Sequence, residues 1–442
     1  MSTFPTLTSD VLHVVYNHLE LHNDVQATLY KLVQVSRAFD EVFRRYLYRH
    51  LHIDIGDTRL ARLVKTLQAN PSLRNGIQSL KIRLSVSPDI PPLYRRIFPP
   101  TDHFLRFARL IIDTQPPSLN TLTLYSPRSG SNFKWMKLAQ TTRNTLLDLR
   151  CKVPFRTLRL ECIIGLRPVM IWGKEGSSPL DELHIFRIYT YSDPTDLDQI
   201  AAAPSPHSLR TLSVRPASAI LLRGTLLTGL ESIHIEQLPI PYNHIVEQLY
   251  AVVTASSATL RHLHLQVVHQ PLETMACGFG TSIFQPCTTA RLDLKKHSKL
   301  EILVISQDPP VKQPDLDPDD GVYEVTELNK EFLMCLRSID LPPILPTLRV
   351  RMYVPEVVSC DSKPQFPAEQ GFRSGWDWRS PTLDRDLVNL VQRSLSIQRV
   401  ELCLISFPGV KVTRAALLGF ETFFPLMKEA MDDAFVVCLD SQ

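Results

Sequence analysis

Beyond residue 70 one short phrase of apolar positions keeps returning: apolar-x-x-apolar-x-apolar. Ile77, Leu80 and Ile82 carry the first copy, and Leu119, Leu122 and Leu124 the next. Phe155, Leu158 and Leu160 follow, then Leu180, Leu183 and Ile185. The phrase continues at Leu209, Leu212 and Val214, at Leu230, Ile233 and Ile235, and at Leu260, Leu263 and Leu265. Leu300, Leu303 and Ile305 repeat it, with weaker copies at Leu345, Leu348, Val350 and at Ile397, Val400, Leu402. Only the last two positions of each copy alternate as a strand requires, so the first residue enters from the preceding turn. Each copy therefore predicts a short strand with one buried face.

Between these strands the apolar spacing changes to that of helices. Asp57 can cap a helix running to Asn70, in which Leu60, Leu63, Val64 and Leu67 share a face. Similar patterns cover 103–113, 134–149, 242–253, 326–339 and 385–395. Strand, loop, helix, strand is the grammar of a parallel sheet with helices on one side. Two stretches break it. Residues 307–321 are rich in proline and aspartate, and 359–381 place Trp376 and Trp378 in polar surroundings; both read as loops. The stretch 413–435 reads as a helix bent near Pro425 that seals the last strand.

The first fifty-five residues are different. Leu12, Val15 and Leu19 fall on one helical face. Leu29, Leu32, Val33, Ser36 and Phe39 do the same for a second helix, and Thr8 or Ser9 can cap the first. Helices this short need each other, the rest of the chain or a partner to cover their apolar faces.

Composition narrows the class. A hydrophobic content of 44% in 442 residues suffices for a sizeable core. Thirty-four prolines against fifteen glycines suit frequent chain stops and disfavour long helical bundles. The net charge of +3 gives no electrostatic case for nucleic acid or a membrane surface as the main partner. The eight cysteines are scattered with no C-x-x-C pair, which predicts reduced thiols in the cytoplasm or nucleus. No basic segment with an apolar run opens the chain, and no apolar stretch reaches the length of a membrane span.

Catalytic and cofactor motifs are sparse. GKEGSS at 173–178 lacks the P-loop spacing, and GFG at 278–280 is an isolated Gly-x-Gly. His262 and His264 alternate with leucines and face one side of a strand, with His269 just beyond; two histidines so spaced could bind a metal if a third ligand converged, but a polar strand face is the ordinary reading. His50 and His52 are read in the same way. Asp315, Asp317, Asp319 and Asp320 are interrupted by Pro314 and Pro318, as no EF-hand is. No catalytic residue, metal or cofactor is expected.

The N-terminal segment resembles an F-box. That family's pattern is a Leu-Pro-x-Glu opening, a Val-Leu pair, a leucine closing the first helix, and Val-Ser-Arg/Lys followed by an aromatic residue. Leu7, Asp10, Val11, Leu12, Leu19, Val35, Ser36, Arg37 and Phe39 match it, with Leu29 and Leu32 on the intervening apolar face. Thr8 stands at the family's proline and Asp10 at its glutamate. The recurring phrase is similar to the leucine-rich repeat L-x-x-L-x-L, at irregular intervals of about 20 to 50 residues and without the usual asparagine. The style is that of F-box-like families of filamentous fungi. The resemblance implies an α/β fold. An F-box-like helical hairpin over 1–55 would precede an irregular leucine-rich-repeat-like solenoid of parallel strands over 56–442, closed by a C-terminal helix. It implies a non-catalytic adaptor that binds the Skp-type protein of a cullin ubiquitin ligase and recruits a protein substrate. Its partners would include neither nucleic acid nor membrane. The alternative is a repeat scaffold with no ubiquitin role, its N-terminal helices serving only as a cap.

Overall fold

The computed structural model describes residues 14–16, 25–35, 37–57, 59–84, 101–126, 133–174, 176–189, 208–215, 227–238, 244–267, 291–307, 328–354, 381–394, 396–406 and 424–439. Contacts divide the chain into two compact units, Met1–Ser208 and Leu209–Gln442.

The first unit opens with α1 (Val25–Val35) and α2 (Arg37–Leu47), then β1 (His50–Asp54), α3 (Leu60–Ala69), α4 (Pro71–Asn75) and β2 (Ser79–Arg83). After these come α5 (Thr101–Thr114), β3 (Thr121–Tyr125), β4 (Phe133–Lys134), α6 (Gln140–Lys152), β5 (Thr157–Ile164), α7 (Pro168–Trp172) and β6 (Glu182–Tyr189). The sheet order is β1-β2-β3-β5-β6, with β4 added to the end of β5. Every pairing is parallel, and the recurring leucines lie level with one another. Leu51, Leu80, Leu122, Leu158 and Leu183 form one buried row, and Ile53, Ile82, Leu124, Leu160 and Ile185 the next. The helices contribute the opposing apolar surface at helical spacing. Examples are Phe104, Phe107, Ala108 and Ile111 of α5, all buried.

The second unit contains β7 (Thr211–Val214), β8 (Ser232–Leu238), α8 (His244–Ala255), β9 (His262–Val267), β10 (Leu292–Asp293) and β11 (Ile302–Gln307). It continues with α9 (Leu328–Ser338), β12 (Ile339–Asp340), β13 (Ile344–Val354), α10 (Pro381–Gln392), β14 (Ser396–Ser406), α11 (Pro425–Met431) and β15 (Phe435–Leu439). Its strands run β7-β8-β9-β11-β13-β14-β15, while β10 and β12 pair separately. Leu212, Ile233, Leu263, Leu303, Leu348, Val400 and Phe435 are level and buried.

A backbone device accompanies the side-chain rows. The carbonyl just before a strand accepts two consecutive N–H groups from the start of the next strand. Arg49 receives Gln78 and Ser79, Gln78 receives Asn120 and Thr121, Asn120 receives Arg156 and Thr157, and Arg156 receives Asp181 and Glu182. In the second unit Arg210, Glu231 and Arg261 do the same for 231–232, 261–262 and 301–302.

Several expected elements differ. The helix expected over 134–149 begins only at Gln140, because Phe133 and Lys134 pair with Ile163 and Ile164, and Trp135–Lys137 make a single 3-10 turn. Pro425 starts α11, where a missing N–H costs no helical bond, and the earlier part of the expected helix, 413–423, lies outside the described residues. Asp432, at φ 47°, ends it, and the chain turns into β15 beside β14. A strand therefore follows the expected capping helix. GKEGSS closes α7: Gly173 has φ 77°, and a Cβ there would lie 2.6 Å from that of Ser177. The Ser177 hydroxyl accepts the Lys174 N–H at 2.9 Å, so the segment is a tight turn. Residues 308–327 and 355–380, with Trp376 and Trp378, lie outside the described residues, as do 278–280 and His269.

Candidate interaction surface

Three short helical segments gather at the start of the first unit. Tyr16, Leu29 and Phe43 form a small buried cluster, with Leu32, Val33, Phe39, Tyr46 and Leu47 partly buried against it. Tyr16 stacks on Tyr46 with ring centroids 3.6 Å apart, and Phe39 meets Phe43 edge-on at 5.6 Å. The Arg49 guanidinium lies within 5.8 Å of the Tyr16 ring centroid and 6.0 Å of that of Tyr46, a distance at which a cation is attracted to the ring face. On α2, Arg44 grips Asp40 through two hydrogen bonds, which raise the arginine's pKa above its ordinary value.

The outer surface of this group is mixed: Lys31, Gln34, Arg37, Arg44 and Arg45 are exposed beside apolar side chains. Val35 is 69% exposed, Tyr30 61%, Val14 56% and Val15 38%. The cluster thus buries one part of its apolar surface and leaves another in water. Large apolar side chains left in water on so small a cluster make it a candidate interface.

The residues expected to carry the site fall into three groups. Leu29 is inside the cluster, while Leu32 and Phe39 are half-buried against it. Val35 points outward. Leu7, Asp10, Val11, Leu12 and Leu19 lie outside the described residues. Val15 was expected on the inner face of the first helix, yet Tyr16 takes that place. An aromatic ring that can stack on Tyr46 beneath Arg49 covers more apolar surface there than a valine would. The second helix is divided in two, with α1 ending at Val35 and α2 beginning at Arg37. Tyr16 and Phe43 were not foreseen; the aromatic spacing of Phe39, Phe43 and Tyr46 on one helix was the available signal.

The strands offer a second kind of surface. In the first unit His52, Lys81, Thr123, Arg159 and His184 form a level row on the face opposite the leucines. His52 bonds the Tyr125 hydroxyl, and the Lys81 ammonium sits 4.6 Å from that ring's centroid. Burial, then the Lys81 and Arg83 charges, lower the pKa of His52. The charges on this face alternate: Asp54, Glu161 and Glu182 stand among Lys81, Arg83 and Arg159. There is no single-sign field to select an acidic or a basic partner.

In the second unit the corresponding row contains Ser213, His234, His264, Val304, Arg349 and Glu401. His234 and His264 stack with centroids 4.0 Å apart and planes 2° from parallel. His264 Nε2 meets Ser306 Oγ at 2.7 Å. His262 instead faces Glu301, with Nε2 3.9 Å from the carboxylate. Glu401 accepts from Arg349 at 2.7 Å and pairs with Arg399 at 2.8 Å. Burial opposes the Arg349 charge, but Glu401 outweighs it and holds the guanidinium above its ordinary pKa. Among the described residues, no group of three or more His, Cys, Asp or Glu is placed to hold a metal. Nor is any described helix long and apolar enough to cross a membrane.

The histidine stack has a pH consequence. Burial pushes His264 down to about 3, with the charges of His234 and Arg351 pushing the same way. An unfolded histidine titrates near 6.5, so below that pH the unfolded chain takes up a proton that the native protein refuses. Stability from this residue is complete above about 6.5 and falls with pH from there toward about 3, by at most about 1.4 kcal/mol per pH unit. Urea unfolding between about pH 7 and 5 should be less pH-dependent for His264→Gln than for the wild type. Parallel curves would refute this role.

No protein-family model matches the chain, and no curated protein matches it in sequence.

Proposed function

We propose that this chain is a non-catalytic adaptor whose N-terminal helices bind a Skp-type protein of a cullin ubiquitin ligase. Its leucine-rich-repeat-like strands would receive a protein substrate. The observation that carries the reading is the outward-facing set Val14, Val15, Tyr30 and Val35 on helices whose other side is packed around Tyr16, Leu29 and Phe43. The F-box-like pattern from Leu7 to Phe39 supports the choice of partner. The mechanism is proximity. A substrate bound to the strands and a ubiquitin-charged enzyme brought by the adaptor meet at a raised effective concentration. The chain need contribute no catalytic group.

The test is a titration of purified Skp-type protein against the wild type and a Tyr30→Asp/Val35→Asp double variant. Burying each apolar side chain is worth about 1.5–3 kcal/mol, so the variant should bind about a hundredfold more weakly or worse. Both positions are exposed, so its circular dichroism should match the wild type. Unchanged affinity, or no binding by the wild type, would favour the scaffold reading instead.

A further inference from the structure

At the C-terminal edge of the second unit, β14 and β15 place two cysteines side by side. Cys403 and Cys438 are direct partners in the parallel register, and their sulfurs are 3.0 Å apart. Cys403 is buried and Cys438 is partly exposed. Arg351, on β13, is the register partner of Cys403 on its other side. Arg349 lies near enough to both sulfurs for their ionised forms to stabilise its charge.

We propose that Cys403 and Cys438 are a reversible oxidation site, closed to a disulfide by a small disulfide oxidant such as glutathione disulfide. The geometry fits the bond. Level partners on adjacent strands have the Cα separation that a disulfide spans, and the sulfurs need approach by only about 1 Å to reach bonding distance. The difference in exposure sets the order of events. Cys438 as thiolate attacks one sulfur of the oxidant, forming a mixed disulfide and releasing one glutathione thiolate. Cys403, already in contact, then attacks the Cys438 sulfur as thiolate and displaces the second glutathione. Two protein thiols are oxidised, one glutathione disulfide is reduced to two glutathiones, and the two protons end on the departing thiolates.

The product would tie the last strand to its neighbour. Among the described residues β15 pairs with β14 alone, so it is an edge strand that a covalent link would secure.

The experiment uses the full chain in glutathione buffers of increasing disulfide fraction, followed by alkylation and peptide mapping. The expected result is a peptide pair joined through Cys403 and Cys438, reversed by dithiothreitol. Cys403→Ser should instead retain glutathione on Cys438, since the second attack is lost. Hydrogen exchange of 435–439 should be slower in the oxidised chain than in the reduced one. Both cysteines remaining alkylatable after oxidation, either cysteine joined to a different partner, or unchanged exchange at 435–439 would each overturn the proposal.

Discussion

Leu263→Ala is expected to lower the stability of the second unit by about 2–5 kcal/mol, the range for a buried leucine whose site cannot collapse. Leu263 is fully buried on β9, level with Ile233 on one side and Leu303 on the other. Both neighbours belong to strands fixed by their own hydrogen bonds, so neither can move far to fill the space. The loss combines the transfer of the missing methyl and methylene groups with the cavity left behind. His262 precedes it on the same strand and faces water. His262→Ala should therefore change stability by no more than about 0.5 kcal/mol. Urea unfolding of the two variants measures the contrast. Comparable losses from both would mean that β9 presents its side chains otherwise than described.

Asp384→Ala is expected to cost about 3 kcal/mol, through the loss of two hydrogen bonds from backbone N–H groups. Asp384 is buried on α10, and its carboxylate reaches a different helix. It accepts the Leu426 N–H at 2.8 Å and the Met427 N–H at 2.9 Å. These donors follow Pro425 at the N-terminus of α11, where no intrahelical acceptor exists. Hydrogen bonds to a charged group contribute about 1.5–3 kcal/mol each, and removing the acceptor strands two amides, one of them buried. Asp384→Asn keeps one acceptor oxygen and should lose about half as much. The check is denaturant unfolding together with amide exchange of Leu426 and Met427. Unchanged protection at both amides would show that another group caps α11.

The repeated strands were legible because each one states its own burial. A leucine two residues from another leucine, with polar residues between, can satisfy one buried face only as a strand, and every strand built on such a phrase lies in register with its neighbours. The strands that escaped notice lack that full phrase. β1 carries Leu51 and Ile53 only two residues after a helix, across a turn of Tyr48 and Arg49 with no glycine or proline to announce it. β15 carries Phe435 and Val437 behind a stretch whose spacing suits a helix, until Asp432 reverses the backbone. At the N-terminus, apolar residues such as Leu29 and Phe39 were visible, but not how they would be shared between inside and outside. Tyr16 is chosen over Val15 by Tyr46 and Arg49, which lie on other segments. The thiol pair was equally hidden. Cys403 and Cys438 are 35 residues apart, and only the register of two strands makes them neighbours.

The doubled backbone bonds at the foot of the strands carry an evolutionary consequence. The acceptors are the carbonyls of Arg49, Gln78, Asn120 and Arg156, and of Arg210, Glu231 and Arg261, so no particular side chain is required there. A segment running from one such carbonyl to the next brings its own donors at one end and its own acceptor at the other. Whatever length of chain lies between, the two ends dock in the same way. Gene segments encoding such pieces could be duplicated, lengthened or lost without re-inventing the joint, and the side chains at the joint would drift freely. A lineage using this architecture would keep its spacing of strands long after its sequences had ceased to look alike.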